Sequence, residues 1–457
     1  MNKLHLSFYT IPVKLENEPG KYLLVHGYTG AIDLISSDCW KQLSIGNYNN
    51  LSERQIQTLR QRGYLTERKF EEEQEYVIHL ASLLHKSQAK LNKFWGFIIT
   101  YNCNFRCPYC FENEVSHNGC QWKKSVFTES LVDKAYKAML DIEPHQELHK
   151  KEILLYGGEP LLQENKSIVQ YIIQKGHKLG YKFKVITNGY DIDSYKDILT
   201  TDHFTNFQIT IDGYREYHNT RRKHFLLGEK TFDKIISNIS LLLTRNIDIT
   251  VRLNLDDNNF QDIEILKKYF KEIGYMSHPH FKLSPAVLVE FAQNENQSNN
   301  IKYISNNLFQ DKIMPQLEDL NCSKDYGIYQ KFFRYFTNKA CCHLTATACP
   351  AQYGTFMFDP DGDIYTCLEI VGKKEYSIGH YNSGELQWTT AKELWFSQNV
   401  GAISQCKMCK YALLCGGKCL AKTSYVKEET AYWCTNYHKL FPKSVNKAYD
   451  AFINSIN

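Results

Sequence analysis

An apolar run from Phe94 to Thr100 ends just before Cys103-Asn104-Phe105-Arg106-Cys107-Pro108-Tyr109-Cys110, which places three thiols in one short loop. A strand followed at once by a cysteine loop reads as a sheet whose strand end presents metal ligands. Three thiolates fill three of the four iron positions of a cubane. Electron-transfer clusters normally take four cysteines, so this spacing leaves one iron open to a ligand the protein does not supply, and an open iron implies chemistry. A zinc site is the alternative that the loop alone leaves standing.

From Phe94 to about residue 300 short apolar runs alternate with longer amphipathic stretches, the pattern of parallel βα units in an α/β fold. The expected strands are Gly96 to Thr100, Ile153 to Tyr156, Phe183 to Thr187, Phe207 to Ile211, Ile249 to Leu253 and Phe281 to Pro285. Sites in such sheets sit on loops at the C-terminal strand ends. After the second strand stands Gly157-Gly158-Glu159-Pro160, where two glycines allow close backbone approach to a ligand and a carboxylate can accept from an ammonium group. Thr187-Asn188-Gly189 follows the third strand; Thr210-Ile211-Asp212-Gly213 ends the fourth and leads to His218-Asn219-Thr220-Arg221-Arg222. On the fifth, Arg252 and Asn254 share a face by period-two alternation, and a guanidinium suits a carboxylate. A structural ion pair between Asp212 and Arg252 is the alternative.

The CxxxCxxC spacing of Cys103, Cys107 and Cys110, with Tyr109 before the last cysteine and GGEP at the next strand end, resembles the radical S-adenosylmethionine (SAM) superfamily. The resemblance implies a partial (β/α)6 TIM-like barrel whose open-site 4Fe-4S cluster holds SAM and cleaves it reductively to a 5'-deoxyadenosyl radical. It also implies SAM contacts from Tyr109, Gly157, Gly158, Glu159, Asn188, Thr210 and Arg252.

Nine of the fifteen cysteines lie from Cys341 onward. Cys349, Gly362 and Cys367, then Cys406-x2-Cys409-x5-Cys415-x3-Cys419 and Cys434, resemble the seven-cysteine SPASM domain of radical SAM enzymes that modify peptides. That likeness implies two auxiliary 4Fe-4S clusters, three in all. Cys406, Cys409, Cys415 and Cys434 would close one; Cys349, Cys367 and Cys419 would hold the other, with Cys342 or Cys341 as its fourth ligand or the position open to a substrate thiolate. The usual spacing to that ligand falls nearer His343. Cys39, Cys120 and Cys322 read as ordinary thiols, and disulfides do not suit a reducing compartment. Asp359-Pro360-Asp361-Gly362 reads as a hairpin turn presenting Cys367.

The first 66 residues read as a separate module: a hairpin of Lys21 to Val25 and Ala31 to Ile35 around Gly27-Tyr28-Thr29-Gly30, a helix capped by Ser37 or Asp38, and a second helix with a Ser52–Gln55 capping box and a stop at Gly63. This looks like a winged-helix leader-peptide recognition element, which takes a precursor peptide as an added strand; a structural cap is the alternative. A linker helix at 67–93, the barrel at 94–320 and the SPASM domain at 321–457 complete the expected organisation. A net charge of +4 with Lys and Arg dispersed gives no case for nucleic acid. No apolar run reaches the roughly 18 residues of a membrane span, and the expected location is cytoplasmic. The expected partners are a precursor peptide and a flavodoxin- or ferredoxin-type electron donor. The expected reaction is thioether formation, ahead of carbon–carbon or ether cross-linking and epimerisation. A sulfatase maturase, which makes formylglycine, is the main rival; there an Asp acting as base directly follows the Cys that ends the Gx4C element, whereas here Leu368 follows Cys367 and Glu369 comes next. Asp212 and Glu369 are the candidate catalytic groups.

Overall fold

A computed structural model describes residues 3–91, 93–110, 112, 117–118, 121–288, 327–338, 343–417, 419–421 and 431–456. Cys120, Cys322, Cys341 and Cys342 lie outside the described residues.

All six expected strands form: β1 (Lys93–Ile98), β2 (His149–Tyr156), β3 (Lys182–Thr187), β4 (Phe204–Ile211), β5 (Asp248–Leu255) and β6 (Phe281–Val287). They pair in parallel and in chain order, with Gly96 opposite Leu154, Val185 opposite Leu155 and Phe207, and Val251 opposite Ile209 and Leu283. Parallel strands need crossovers packed on the sheet, and the helices supply them: Lys166–Lys178 buries Ile168, Val169, Ile172 and Ile173, an apolar stripe at helical spacing. The result is the expected partial barrel, with every strand C-terminus at one end.

The sheet does not stop at the expected barrel boundary. Thr355–Phe358 adds in parallel to the open side of β1, and three short antiparallel strands, Asp363–Tyr365, Gly379–His380 and Gln387–Trp388, continue it, giving ten strands in all. The Asp359–Gly362 turn forms as expected, with Gly362 at φ +90°. It is also fastened to the barrel: the Tyr101 hydroxyl donates to Asp359 Oδ2 at 2.7 Å, and Lys123 pairs with Asp361.

The N-terminal module is a three-stranded antiparallel sheet, Thr10–Lys14, Lys21–His26 and Ile32–Ser36, with helices Ser37–Ser44 and Glu53–Arg62. The capping box and the Gly63 stop at φ +93° are present; the first helix is capped by Ser36 rather than by Ser37 or Asp38, its side chain accepting from the Cys39 N–H. One sheet face packs Leu24 on Leu43, Leu59 and Tyr64. The other packs Ile11, Val13, Leu23 and Val25 on Phe332 of helix Gly327–Asn338 and on Phe441 and Val445 of helix Ala431–Ile456. The two chain ends therefore share a core. The expected linker helix spans Phe70–Leu91.

Candidate active site

The first cysteine loop leaves the end of β1 and is tied down before any ligand is considered. Phe105 is buried, bridges to His224 and meets the edge of Tyr190 at 5.9 Å. The Phe225 N–H donates to the Asn104 carbonyl at 2.7 Å, and Asn104 Nδ2 donates to Asp191 Oδ2 at 3.1 Å. The Phe105 N–H donates to Cys103 Sγ at 3.3 Å. Burial pushes the thiols of Cys103, Cys107 and Cys110 up, and neighbouring thiols in the loop push the same way at Cys103 and Cys110. Such groups stay protonated until a metal takes their place, so cluster loading here releases protons. Among the described residues no three His, Cys, Asp or Glu side chains converge on a point that one ion could fill; a four-iron cluster holds its thiolates on separate irons and needs no such point.

Gly157 and Gly158 explain why the second strand ends as it does. A Cβ on Gly157, at φ +138°, would strike the Thr100 carbonyl, and one on Gly158 the carbonyls of Tyr101 and Asn102. The close approach that two glycines allow is thus to the chain's own backbone, sealed by Gly158 N–H to Thr100 O at 2.9 Å and Glu159 N–H to Asn102 O at 2.8 Å. Glu159 is buried. Its Oε1 accepts from the Leu161 N–H at 2.9 Å and Thr187 Oγ1 at 2.7 Å, and its Oε2 from the Asn188 N–H at 2.6 Å. Those bonds bind the GGEP loop to Thr187-Asn188-Gly189 and use three of the roughly four acceptor positions of a carboxylate. Burial nonetheless pushes its pKa up to about 7. Asn188 Nδ2 reaches Asn104 Oδ1 at 2.7 Å and lies 4.0 Å from Cys103 Sγ.

Tyr109 is the hub of a buried polar network. Its hydroxyl donates to Asp212 Oδ1 at 2.7 Å and accepts from Arg222 Nη1 at 2.5 Å and Asn254 Nδ2 at 3.3 Å. Asp212 is closed off from solvent and pairs with Arg221 and Arg222, each at 3.7 Å, while Arg221 also meets Asp256 at 3.2 Å. The ion pair weighed for Asp212 therefore forms with these arginines; Arg252 Nε instead donates to Asn254 Oδ1 at 3.0 Å. Among the described residues three buried atoms of this network have no hydrogen-bond partner: Asp212 Oδ2, Arg221 Nη2 and Arg222 Nε. Buried polar atoms are normally satisfied. Two orphan guanidinium N–H groups, on arginines whose charge pulls the Cys107 thiol down against its burial, fit a ligand that brings a carboxylate.

The strand-end Tyr156 is buried beside charged groups of this loop and of the C-terminal region. Glu112, two residues beyond Cys110, hydrogen-bonds to it, and burial pushes that carboxyl up to about 8; Cys110, Glu369 and Arg252 also act on Tyr156. Burial brings Cys349 up to about 11 and pushes Cys367 up as well; Cys419 and Glu369 push both thiols the same way, and Cys349 does so at Cys367. The structure so gathers the expected trio and sets Glu369 beside it. Asp212 stands on the other side, within the Tyr109 network. Glu112 and Tyr156 were not singled out by sequence, whereas Arg221 and Arg222 stand in the His218 to Arg222 stretch after the fourth strand; Glu112 offered one signal, an acidic residue two positions after a motif cysteine, matched by Glu369 after Cys367. Thr210 lies at the end of β4, nine-tenths buried.

The last cysteines sit elsewhere. Cys406, Cys409 and Ile403 belong to a hydrophobic cluster with Tyr9 and Tyr28 of the N-terminal module and Val77 and Ala81 of helix Phe70–Leu91. The Tyr9 hydroxyl donates to the Lys407 carbonyl at 3.2 Å, and a Cβ on Gly27 would collide with the carbonyl oxygen of Lys410. Cys415 ends the short helix Ala412–Cys415, closed by Gly416 at φ +80°. The Cys434 backbone belongs to helix Ala431–Ile456; its side chain lies outside the described residues. The ten described cysteines stand as thiols, not disulfides. Among the described residues no helix is long and apolar enough to cross a membrane.

Residues 97–270 match the Radical SAM superfamily. The chain is similar to the cysteine-type anaerobic sulfatase-maturating enzyme of Clostridium novyi, 22% identical over 375 residues that cover 76% of this chain and 93% of that one. Its fold is similar to anSMEcpe with bound AdoMet and Cp18Cys peptide (TM-score 0.58, 18% identity, 79% of this chain and 99% of that chain). It is also similar to Streptococcus suis SuiB bound to precursor peptide SuiA (TM-score 0.52, 12% identity, 93% of this chain and 97% of that chain).

Proposed function

The chain carries a radical SAM domain at residues 97–270, and from that premise we propose that it is a peptide maturase forming thioether cross-links, cysteine sulfur to carbon, in a ribosomally made precursor. In this reading residues 1–66 recognise the peptide, 67–93 link, 94–320 form the barrel and 321–457 form the SPASM domain. Cys103, Cys107 and Cys110 hold the cluster that carries SAM. Cys349, Cys367 and Cys419, with Cys342, Cys341 or a substrate thiolate, hold an inner auxiliary cluster; Cys406, Cys409, Cys415 and Cys434 hold an outer one.

When bound, SAM and its cluster supply a one-electron reductive cleavage to a radical that takes hydrogen from an unactivated carbon. The chain's residues place and shield that event. Arg221 Nη2 and Arg222 Nε, buried and without acceptors, take the carboxylate; the backbone nested at Gly157 and Gly158, locked by Glu159, takes the ammonium end. Arg252 and Glu369 set the charge felt at Tyr156 at the end of β2. The buried aromatic wall of Tyr101, Phe105 and Tyr190 keeps out water. A flavodoxin- or ferredoxin-type donor provides electrons.

One observation supports the reading above the others: Cys103 and Cys107 pack against the same core cluster as Cys349, Cys367 and Cys419, and the strand Thr355–Phe358 pairs with β1 while Tyr101 holds Asp359, so the first cysteine loop and the inner trio share one sheet, as a substrate passed between them requires. Peptide capture is supported by the order of the module's sheet, which leaves two edge strands among the described residues. On Thr10–Lys14, Asn446 Nδ2 donates to Lys14 O. On Ile32–Ser36, Arg62 and Tyr335 donate to the Ile32 carbonyl at the strand's start, and Leu34 beyond it is exposed.

The test is anaerobic reconstitution followed by co-expression with a small cysteine-containing peptide encoded beside the gene. Expected are SAM-derived 5'-deoxyadenosine and a peptide lighter by about two hydrogens per site with its thiols no longer alkylable. The same mass loss with free thiols would replace thioether by carbon–carbon or ether linkage. A formylglycine product is the second reading, favoured by the similarity to the sulfatase-maturating enzyme along 76% of the chain. The 93% overlap with SuiB, solved with a bound precursor peptide, supports a precursor peptide as substrate in the first reading.

A further inference from the structure

One imidazole near the outer cysteines has no part in the reading above. His438 Nε2 stands 3.6 Å from Cys409 Sγ, within reach of an N–H···S hydrogen bond. Its helix is Ala431–Ile456, and it follows Cys434 by four residues, a spacing that stacks two helical positions on one face. The ring is not free to turn away at no cost: Tyr411, from the same loop as Cys409, lies over it with centroids 4.5 Å apart and planes 32° apart. Tyr411 is itself fixed against Phe441 at 5.0 Å and Tyr437 at 6.0 Å. The helix that carries the last expected ligand and the loop that carries the first three are knitted through this pair of rings.

We propose that His438 is a positioning residue that donates a hydrogen bond to the Cys409 sulfur and thereby sets the reduction potential of the outer cluster. The inference rests on the three-cluster reading. Reduction adds negative charge that thiolate sulfurs share, and an N–H aimed at such a sulfur stabilises the reduced form more than the oxidised one, raising the potential. A side chain ligating a different iron would stand farther from Cys409 than a hydrogen-bonding distance, so the 3.6 Å separation favours donation over ligation. No covalent step is involved; the residue biases which way an electron runs between this cluster and its partners.

The experiment uses the full reconstituted chain, iron analysis and an EPR-monitored redox titration of wild type, His438→Phe and His438→Gln. Phe keeps a ring against Tyr411 and removes the donor; Gln restores an N–H near the Nε2 position. Expected is a lowered midpoint for one cluster in His438→Phe, with the other midpoints, the iron content and SAM cleavage as in wild type, and a return toward the wild-type midpoint in His438→Gln. Unmoved midpoints with three clusters' worth of iron would overturn the role alone. Loss of one cluster's iron in His438→Phe would overturn it too, since His438 would then be needed to hold the cluster. A wild type with one cluster's worth of iron would fail the three-cluster reading itself and this role with it.

Discussion

The first cysteine loop and the outer one present the same ligand type on opposite kinds of support. Cys103, Cys107 and Cys110 hang from the end of β1 and are framed by backbone nesting at Gly157 and Gly158 and by the polar network of Tyr109, Asp212, Arg221 and Arg222. Cys406 and Cys409 rest on an apolar cluster that draws Tyr9 and Tyr28 from one end of the chain and Val77 and Ala81 from the linker helix. A site that must hold a charged ligand keeps unpaired donors in a rigid frame. A site that only has to keep thiolates in place can be packed.

Removing a ligand from each loop should separate them most sharply. On the proposed three-cluster reading, Cys107→Ala should abolish 5'-deoxyadenosine formation while leaving the iron of both auxiliary clusters, whereas Cys409→Ala should lose outer-cluster iron and still cleave SAM. Anaerobic product assay beside iron analysis reads both. If Cys409→Ala also abolished SAM cleavage, the two loops would not be separable.

Backbone crowding comes next. Gly158→Ala drives a Cβ into the carbonyls of Tyr101 and Asn102, and Gly27→Ala drives one into the Lys410 carbonyl. Overpacking of this kind costs about 1–3 kcal/mol, so both should lower the thermal midpoint. The contrast lies in the thiols: in the metal-free chain Gly158→Ala should speed alkylation in the first loop and Gly27→Ala at Cys406 and Cys409, as peptide mapping would show. Equal effects on both loops would mean that the module is not a local support.

The Tyr109 hydroxyl is a subtler test of the polar frame. Tyr109→Phe keeps the ring under Arg221, which lies 4.9 Å from its centroid, but strips Asp212 Oδ1 of its donor. Leaving a buried acceptor unsatisfied costs about 1–3 kcal/mol, and SAM affinity by equilibrium dialysis should fall. An unchanged affinity would take Tyr109 out of the ligand frame.

Sequence was enough wherever the signal is local. Six apolar runs gave six strands because parallel strands are buried on both faces, and the cysteine spacings survive because a loop closes over a few residues whatever surrounds it. The Ser52–Gln55 capping box was legible for the same reason. What escaped is long-range. Nothing near Gly27 says that Lys410 will lie against it, and a run of Arg221-Arg222 does not say which acid each will meet; period-two alternation put Arg252 on the inward face but could not choose Asn254 over Asp212 as its partner. The Thr355–Phe358 strand reads as half of a hairpin, yet its other edge extends the barrel sheet, because β1 has a free side that only the assembled barrel reveals.

Acid acts on each loop through its own buried histidine, His26 in the support of the outer loop and His218, whose Nδ1 accepts from the Asp212 N–H at 3.3 Å, in the frame of the first. A substitution at His26 parts the two. His26 is shut off from solvent next to Gly27; its Nδ1 accepts from the Thr29 N–H at 3.2 Å, so Nε2 carries the proton toward Ser7 Oγ at 3.1 Å, and that hydroxyl donates in turn to Glu73 Oε1 at 2.5 Å. Burial depresses its pKa from 6.5 to about 3. Between those values the unfolded chain binds a proton that the folded one refuses, so stability rises with pH: the contribution is complete above 6.5 and is lost as pH falls toward 3. At pH 5.5 the loss is about 1.4 kcal/mol. Alkylation of Cys406 and Cys409 in the metal-free chain should therefore accelerate as pH falls from 7 to 5.5, once rates are corrected for thiolate fraction. His26→Gln should flatten that rise and leave the pH slope at Cys103 and Cys107 as in the parent chain; a slope at Cys406 and Cys409 unchanged by the substitution would place their acid-sensitive support outside the N-terminal module.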